Sequence, residues 1–334
     1  MSEIMKKLDE LQIAPFTQAA LKLDAKTEVE RIEEGLLEAI YHQLHRQGAV
    51  VGLSGGIDSS VVLALCARAL GSEHVVGVLL PERESSPEST GLASKLAEHY
   101  SVKTVTEDIT AALEGFGCYQ RRDQAIRRVF PDFQPGWGVK IVLPGSPLQE
   151  ATLNIFRLVV TDPQGHEYSQ RIPLKEYYQI VASSNFKQRT RMSYLYYHAE
   201  LHHYAVAGTA NKNEHDLGFF VKYGDGGMDV NPIGHLFKSQ VYQLARFLDI
   251  PEAIQKRTPT TDTYPGGSSQ EEFFYRLPFD ILDTLWLGCE LGIPSDEISG
   301  AMGLSKDQVE RVILDITQKI KTTTYLRSPV IYIS

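Results

Sequence analysis

Over its first hundred residues the chain alternates short apolar blocks with longer amphipathic stretches. AVVGL (49–53) and VVGVLLP (75–81) are continuous apolar runs, the mark of strands buried on both faces. VKTVTED (102–108) reads as a third strand. Between them lie helical patterns. TEVERIEEGLLEAIYHQLHR (27–46) is amphipathic, opened by a capping box of Thr27 with Glu30 and ended before Gly48. IDSSVVLALCARALG (57–71) is closed by Gly71, and 89–100 is again helical. Strands alternating with helices predict a doubly wound parallel sheet with helices on both faces, and such sheets bind ligands at the carboxyl ends of their strands. The Ser-Gly-Gly turn after 49–53 stands at one of those ends.

Residues 115–180 break the rhythm with six prolines and the piece PGWG. Within them NIFRLVVTD and HEYSQRIPL read as two strands joined by PQG, so the stretch is expected to be a β-rich insertion within a single domain spanning 1–334. A helix is expected at 186–203, a fourth core strand at 203–210, a helix at 238–249 and a long polar lid at 258–270. The C-terminal part is helical. SDEISGAMGLSKDQVERVILDITQKI has the outline of a helix-turn-helix, with Ser305 and Gln308 as a capping box. Asp307, Glu310 and Asp315 on its second helix argue for helical packing and against reading DNA.

Charge removes further classes. Among 334 residues, 33 basic and 42 acidic side chains give a net charge of −9, which offers no basic footprint for nucleic acid. No apolar run approaches the length of a membrane span, and the N-terminus lacks a secretory apolar core. Cys66, Cys118 and Cys289 are far apart and form no CxxC pair, as suits a reducing cytoplasm.

The candidate chemistry centres on Ser54-Gly55-Gly56-Ile57-Asp58-Ser59-Ser60, between a strand and a helix. Glycines let backbone amides approach an anion, and the helix N-terminus adds partial positive charge. With the serine hydroxyls this makes a pyrophosphate cradle, although the same residues also suit a plain strand-to-helix turn. Neither GxxxxGK[ST] nor GxGxxG is present. Asp58 and Glu214 are carboxylates at two strand ends, a pair suited to Mg2+ bridging phosphates. Lys238 and Arg189 are cations able to stabilise phosphate charge, and Thr209 can hydrogen-bond a nucleotide.

The SGGxDS pattern resembles the PP-loop of the N-type ATP pyrophosphatases. Three further segments resemble NAD synthetases within that group: Asn185-Phe186-Lys187-Gln188-Arg189-Thr190-Arg191-Met192, Gly208-Thr209-Ala210-Asn211-Lys212-Asn213-Glu214, and Lys222-Tyr223-Gly224-Asp225-Gly226-Gly227-Met228-Asp229. Lys238 falls where that family has a later ATP-contacting lysine. The resemblance implies an adenine nucleotide alpha hydrolase-like fold and ammonia-dependent amidation of deamido-NAD, with ATP cleaved to AMP and pyrophosphate through an adenylate. It implies that Ser54, Gly55, Gly56, Asp58, Ser59, Ser60, Arg189, Thr209, Lys238 and Thr260 bind ATP. Arg189, Lys222 and Asp229 would contact deamido-NAD, Asp58 and Glu214 would hold Mg2+, and Asp58, Lys238 and Asp225 would be catalytic. A homodimer is implied, with free ammonia or a partner protein as nitrogen source, since no glutaminase domain is expected.

Three departures stand out, one of them the β-rich insertion at 115–180, which exceeds what the short family members have. The family's bacterial ammonia-dependent members carry a His-Lys pair near the C-terminus, where this chain has Thr323-Thr324-Tyr325-Leu326-Arg327-Ser328-Pro329, leaving Arg327 as a candidate charge. The lid sequence TDTYPGG also differs from the family's. An AMP-forming amide ligase of the same fold acting on another carboxylate is therefore a second reading.

Overall fold

The computed structural model describes residues 16–149, 155–259, 269–270 and 274–333. Four parallel strands form the central sheet in the order β3-β2-β1-β7, namely β3 Lys103–Thr106, β2 Val75–Leu79, β1 Ala49–Leu53 and β7 Ala205–Ala207. The chain steps outward from β1 to β3 and then returns to the other side of β1. That reversal opens a crevice at the carboxyl ends of β1 and β7, where such sheets bind ligands. A separate antiparallel sheet joins β4 Gly138–Val142, β5 Arg157–Thr161 and β6 Glu167–Arg171.

One face of the parallel sheet is covered by α1 (Ala25–Leu37), α2 (Ile57–Leu70) and α8 (Lys238–Phe247) around Val29, Leu63, Leu65 and Val241. α3 (Pro87–His99) edges the same core through Leu96. On the other face α4 (Thr110–Gly115), α5 (Cys118–Val129) and α6 (Leu174–His202) bury Leu113, Cys118, Tyr119, Met192 and Leu195 against Val50 and Val78. A C-terminal layer of α10 (Phe279–Glu290), α11 (Ser295–Met302) and α12 (Lys306–Thr322), followed by the short α13 (Thr324–Arg327), packs around Trp286, Ile298, Val309 and Val312. The short α7 (Lys212–Leu217) and α9 (Glu252–Gln255) link these layers. The helix-turn-helix outline thus belongs to a packed layer, and Ser305 and Gln308 do form the reciprocal capping box.

Several boundaries differ from expectation for identifiable reasons. α1 starts at Ala25 because its cap is Asp24, whose carboxylate accepts the Thr27 amide at 3.4 Å and the Thr27 hydroxyl at 2.7 Å. Thr27 is therefore inside the helix, which continues through a π turn over Glu38–Gln43. Antiparallel strands occupy only 138–171 of the expected β-rich stretch, since Cys118–Val129 is helical. α6 begins twelve residues before 186, directly after Pro173. The aromatic and β-branched run at 177–181 blurs its period, yet Ile180, Ser184 and Lys187 are buried at helical spacing. β7 is short because the chain leaves the sheet at Gly208, where a Cβ would lie 2.1 Å from Met228 Sδ.

Candidate active site

A cavity of about 700 Å3 occupies the crevice between β1 and β7. Its floor is the turn after β1. Gly56 caps α2, and the cavity is lined by Ser54, Gly56, Ile57, Asp58 and Ser59, so the first turn of that helix faces the space. The turn is internally braced: Ser54 Oγ accepts the Gly56 amide at 3.2 Å, and Ser59 Oγ and Ser60 Oγ donate to the Gly56 carbonyl at 3.1 and 2.7 Å. Gly55 has φ +71°, and a Cβ there would sit 2.3 Å from the Ser89 carbonyl oxygen. Gly55 and the buried Ser60 thus shape the turn from behind the cavity wall.

The reactive charges converge on Asp58. Lys238, wholly buried at the start of α8, pairs its ammonium with Asp58 Oδ2. Asp58 Oδ1 accepts the Asn211 amide at 2.9 Å. Asn211 caps α7, accepting the Glu214 amide at 3.1 Å while its own N–H donates to Glu214 Oε2 at 3.3 Å. The Glu214 carboxyl is pushed up to about 8, first by burial and then by the negative charge of Asp58, with Lys238 opposing. Burial alone would lower the Lys238 pKa, but Asp58 and Glu214 together hold it above the ordinary value. Asp225 is raised to about 6 by burial, against the Val221 amide that donates to it at 2.7 Å and the charge of Arg191. Behind Lys238, Asp283 accepts from Asn213 Nδ2 at 2.5 Å and from the Ser239 amide at 2.8 Å, fixing the start of α8.

Of the residues singled out in sequence, Ser54, Gly56, Asp58, Ser59, Thr209, Glu214, Asp225 and Lys238 line this one cavity. Others do not. Arg189 is exposed and donates to the Lys222 carbonyl at 3.3 Å, whereas Arg191 lines the cavity and donates to the Leu80 carbonyl at 3.3 Å. Residues two apart on a helix differ by about 200° in direction, so only one of the two arginines faces inward. Lys222 donates to the carbonyls of Tyr325 and Ser328 at 3.0 and 2.9 Å. Asp229 accepts from the Val206 amide at 2.8 Å and the Tyr196 hydroxyl at 3.0 Å beside β7. Arg327 is tied to the carbonyls of His215 and Ile320. Thr260 and most of the expected lid lie outside the described residues.

Sequence reasoning missed Arg191, Arg257, Asn211, Gln270 and Lys319. Arg257 clasps the turn by donating to the Gly55 carbonyl at 3.3 Å and to Ser89 Oγ at 2.6 Å. Gln270 donates to Glu214 Oε1 at 3.1 Å. The Asn-x-x-Glu capping pattern was a signal for Asn211, and the inward phase of α6 was one for Arg191. Arg257 precedes the expected lid and Gln270 ends it, and neither carries a local pattern. Among the described residues no group of three or more His, Cys, Asp or Glu side chains converges as a metal site. A Mg2+ that keeps waters and bridges phosphates needs only one or two carboxylates. Asp58 and Glu214 fit that need, since the charge of Asp58 makes ionising Glu214 costly and a divalent cation would relieve that cost.

Comparison with known proteins points in one direction. The profile of the NAD synthase family matches residues 28–129 and 154–329. The NH(3)-dependent NAD(+) synthetase of Rhizobium meliloti (strain 1021) is 49% identical over 311 residues, covering 93% of this chain and 92% of that protein. The protein of the same description from Thermotoga maritima is 34% identical over 295 residues, covering 87% and 96%. The solved NH3-dependent NAD synthetase of Campylobacter jejuni superposes with a TM-score of 0.61 at 24% identity, covering 93% of this chain and all of that one.

Proposed function

The chain belongs to the NAD synthase family, and from that membership we propose that it amidates deamido-NAD with ammonia, converting ATP to AMP and pyrophosphate. The single observation that carries the chemistry is the buried Lys238–Asp58 pair at the N-terminal end of α2, in a cavity shared with Glu214 and Asp225.

In this reading the turn 54–59 and the first amides of α2 bind the triphosphate, with Lys238 offsetting its charge. Thr209 hydrogen-bonds the nucleotide, and Arg257, on the cavity wall, holds the turn through the Gly55 carbonyl. Asp58 and Glu214 would hold Mg2+, which when bound neutralises phosphate charge. A nicotinate carboxylate oxygen attacks the α-phosphorus, and pyrophosphate leaves with the electron pair of the broken P–O bond. Ammonia then attacks the acyl carbon of the adenylate, AMP departs, and the surplus proton passes to solvent. Asp225, raised to about 6, is ionised at neutral pH and suited to take a proton from ammonium at the cavity wall. No side-chain nucleophile is required, because the work is positioning and charge stabilisation.

Arg189, Lys222 and Asp229 lie off the cavity, so we assign them to the part of deamido-NAD that extends beyond it. The two ends of α6 each expose an apolar pair, Leu174 with Tyr178 and Tyr197 with Leu201, surfaces consistent with a homodimer. No helix among the described residues is long and apolar enough to cross a membrane, and we place the protein in the cytoplasm. The test is AMP and NAD production from ATP, Mg2+ and ammonium with and without deamido-NAD. Equal amounts of both, only with deamido-NAD, are expected. AMP without NAD, or silence with deamido-NAD, would move the assignment to another carboxylate.

A further inference from the structure

The C-terminal wall of the cavity contains a cation that the mechanism above does not use. Lys319, in the last turn of α12, lines the cavity together with Thr322, Thr323 and Leu326 and is only 7% exposed. Its ammonium donates to Asp315 Oδ2 at 2.7 Å and stands 5.0 Å from the centre of the Phe274 ring. Asp315 is shared, because its other oxygen accepts from Arg276 Nη2 at 2.5 Å. An ammonium has three donors, and one half-share of a carboxylate is a poor substitute for the water it has lost. Burial accordingly pulls the Lys319 pKa below its ordinary value despite Asp315.

The wall that carries Lys319 is joined to the loop bearing Asp225. Thr323 packs so closely on Gly218 that a Cβ there would meet the Thr323 Cβ at 2.2 Å. Lys222, four residues on in that loop, is bonded to the Tyr325 and Ser328 carbonyls. Phe219, Phe220, Val221 and Asp225 continue this wall around the cavity. ATP phosphates belong to the turn 54–59 and Lys238, on different elements. The nicotinate carboxylate must reach the α-phosphorus held there. The anionic group that remains for the C-terminal wall is the diphosphate of the dinucleotide.

We propose that Lys319 is a substrate-binding residue whose ammonium takes up a phosphate oxygen of the dinucleotide acid. This rests on the amidation reading above. Loss of one charge-assisted hydrogen bond to a bound phosphate lowers affinity by roughly 10- to 100-fold. Lys319→Met removes the charge and leaves Asp315 paired with Arg276. Lys319→Gln removes the charge but keeps an N–H donor for Asp315, so it reports on charge even if the methionine variant folds poorly. Steady-state kinetics of NAD formation by the full chain should show the KM for deamido-NAD rising by that factor in K319Q, the KM for ATP staying within about threefold, and Lys319→Arg recovering most of the loss. An unchanged deamido-NAD KM in K319Q, or a rise confined to ATP, overturns the proposal while leaving the amidation reading intact. A wild-type chain that makes no NAD from deamido-NAD overturns both.

Discussion

Replacing Lys238 by methionine tests the electrostatic centre of the site. The side chain is wholly buried and its ammonium is the cation that faces both Asp58 and Glu214. Methionine matches the lysine stem closely enough that little cavity is opened, so the loss is mostly charge. Breaking a buried ion pair by removing one partner costs about 3–5 kcal/mol. Here what is left behind is a pair of half-buried carboxylates, Asp58 and Glu214, the second already raised to about 8. Without Lys238 the Glu214 carboxyl loses the cation that opposes its rise and is pushed further up. A carboxyl whose folded pKa lies above its unfolded value favours the folded state below the unfolded value and loses that contribution as pH rises through the folded value. The K238M deficit in urea unfolding of the ligand-free protein should therefore be smallest below about pH 7, where Glu214 holds its proton in both proteins, and grow as pH rises through about 8 and beyond. Adenylation, followed as deamido-NAD-dependent exchange of pyrophosphate into ATP, should fall about 100- to 1000-fold, as expected for removal of one preorganised charge-stabilising group. A deficit independent of pH, or exchange within about threefold of wild type, would refute the reasoning.

Two further outcomes follow from the same geometry. Gly55→Ala places a β-carbon 2.3 Å from the Ser89 carbonyl at a φ of +71°, so the turn must shift; conformation alone costs about 1–2 kcal/mol. kcat/KM should drop about 100-fold with a modest fall in Tm, and a variant of wild-type activity would mean that the turn does not hold the reacting phosphate. Mg2+ binding should displace a proton from Glu214, which is raised to about 8. Calorimetry at pH 7 in buffers of different ionisation enthalpy should register close to one proton released, with affinity rising towards about pH 8. No proton release would remove Glu214 from the metal site.

How much of this was legible in the sequence depended on locality. The apolar runs at 49–53 and 75–81 read as buried strands, and the glycine turn after the first marked where the ligand-binding end lay. Asp58, Glu214 and Lys238 each sit within a few residues of an element end, so local patterns placed them on the crevice and the structure brings them into one cavity. Helix phase was harder to read. Arg189 and Arg191 share a motif but face opposite ways, and only the buried series Ile180, Ser184, Lys187 distinguishes them. Long-range pairing was not legible at all. Asp229 bonding the amide of Val206, or Lys222 reaching the carbonyls of Tyr325 and Ser328, requires the folded chain. The same holds for the buried network in which Lys187 binds Glu82 and Glu84 at 2.8 Å and Arg122 binds Glu84, tying α5 and α6 to the end of β2.

The central claim is that the acid is activated by its own oxygen attacking the α-phosphorus of ATP in this cavity. Deamido-NAD labelled with 18O in both oxygens of the nicotinate carboxylate tests it in one turnover, with mass spectrometry of AMP and NAD. The account predicts one labelled oxygen in AMP and one in the amide of NAD. Unlabelled AMP formed alongside NAD would contradict it.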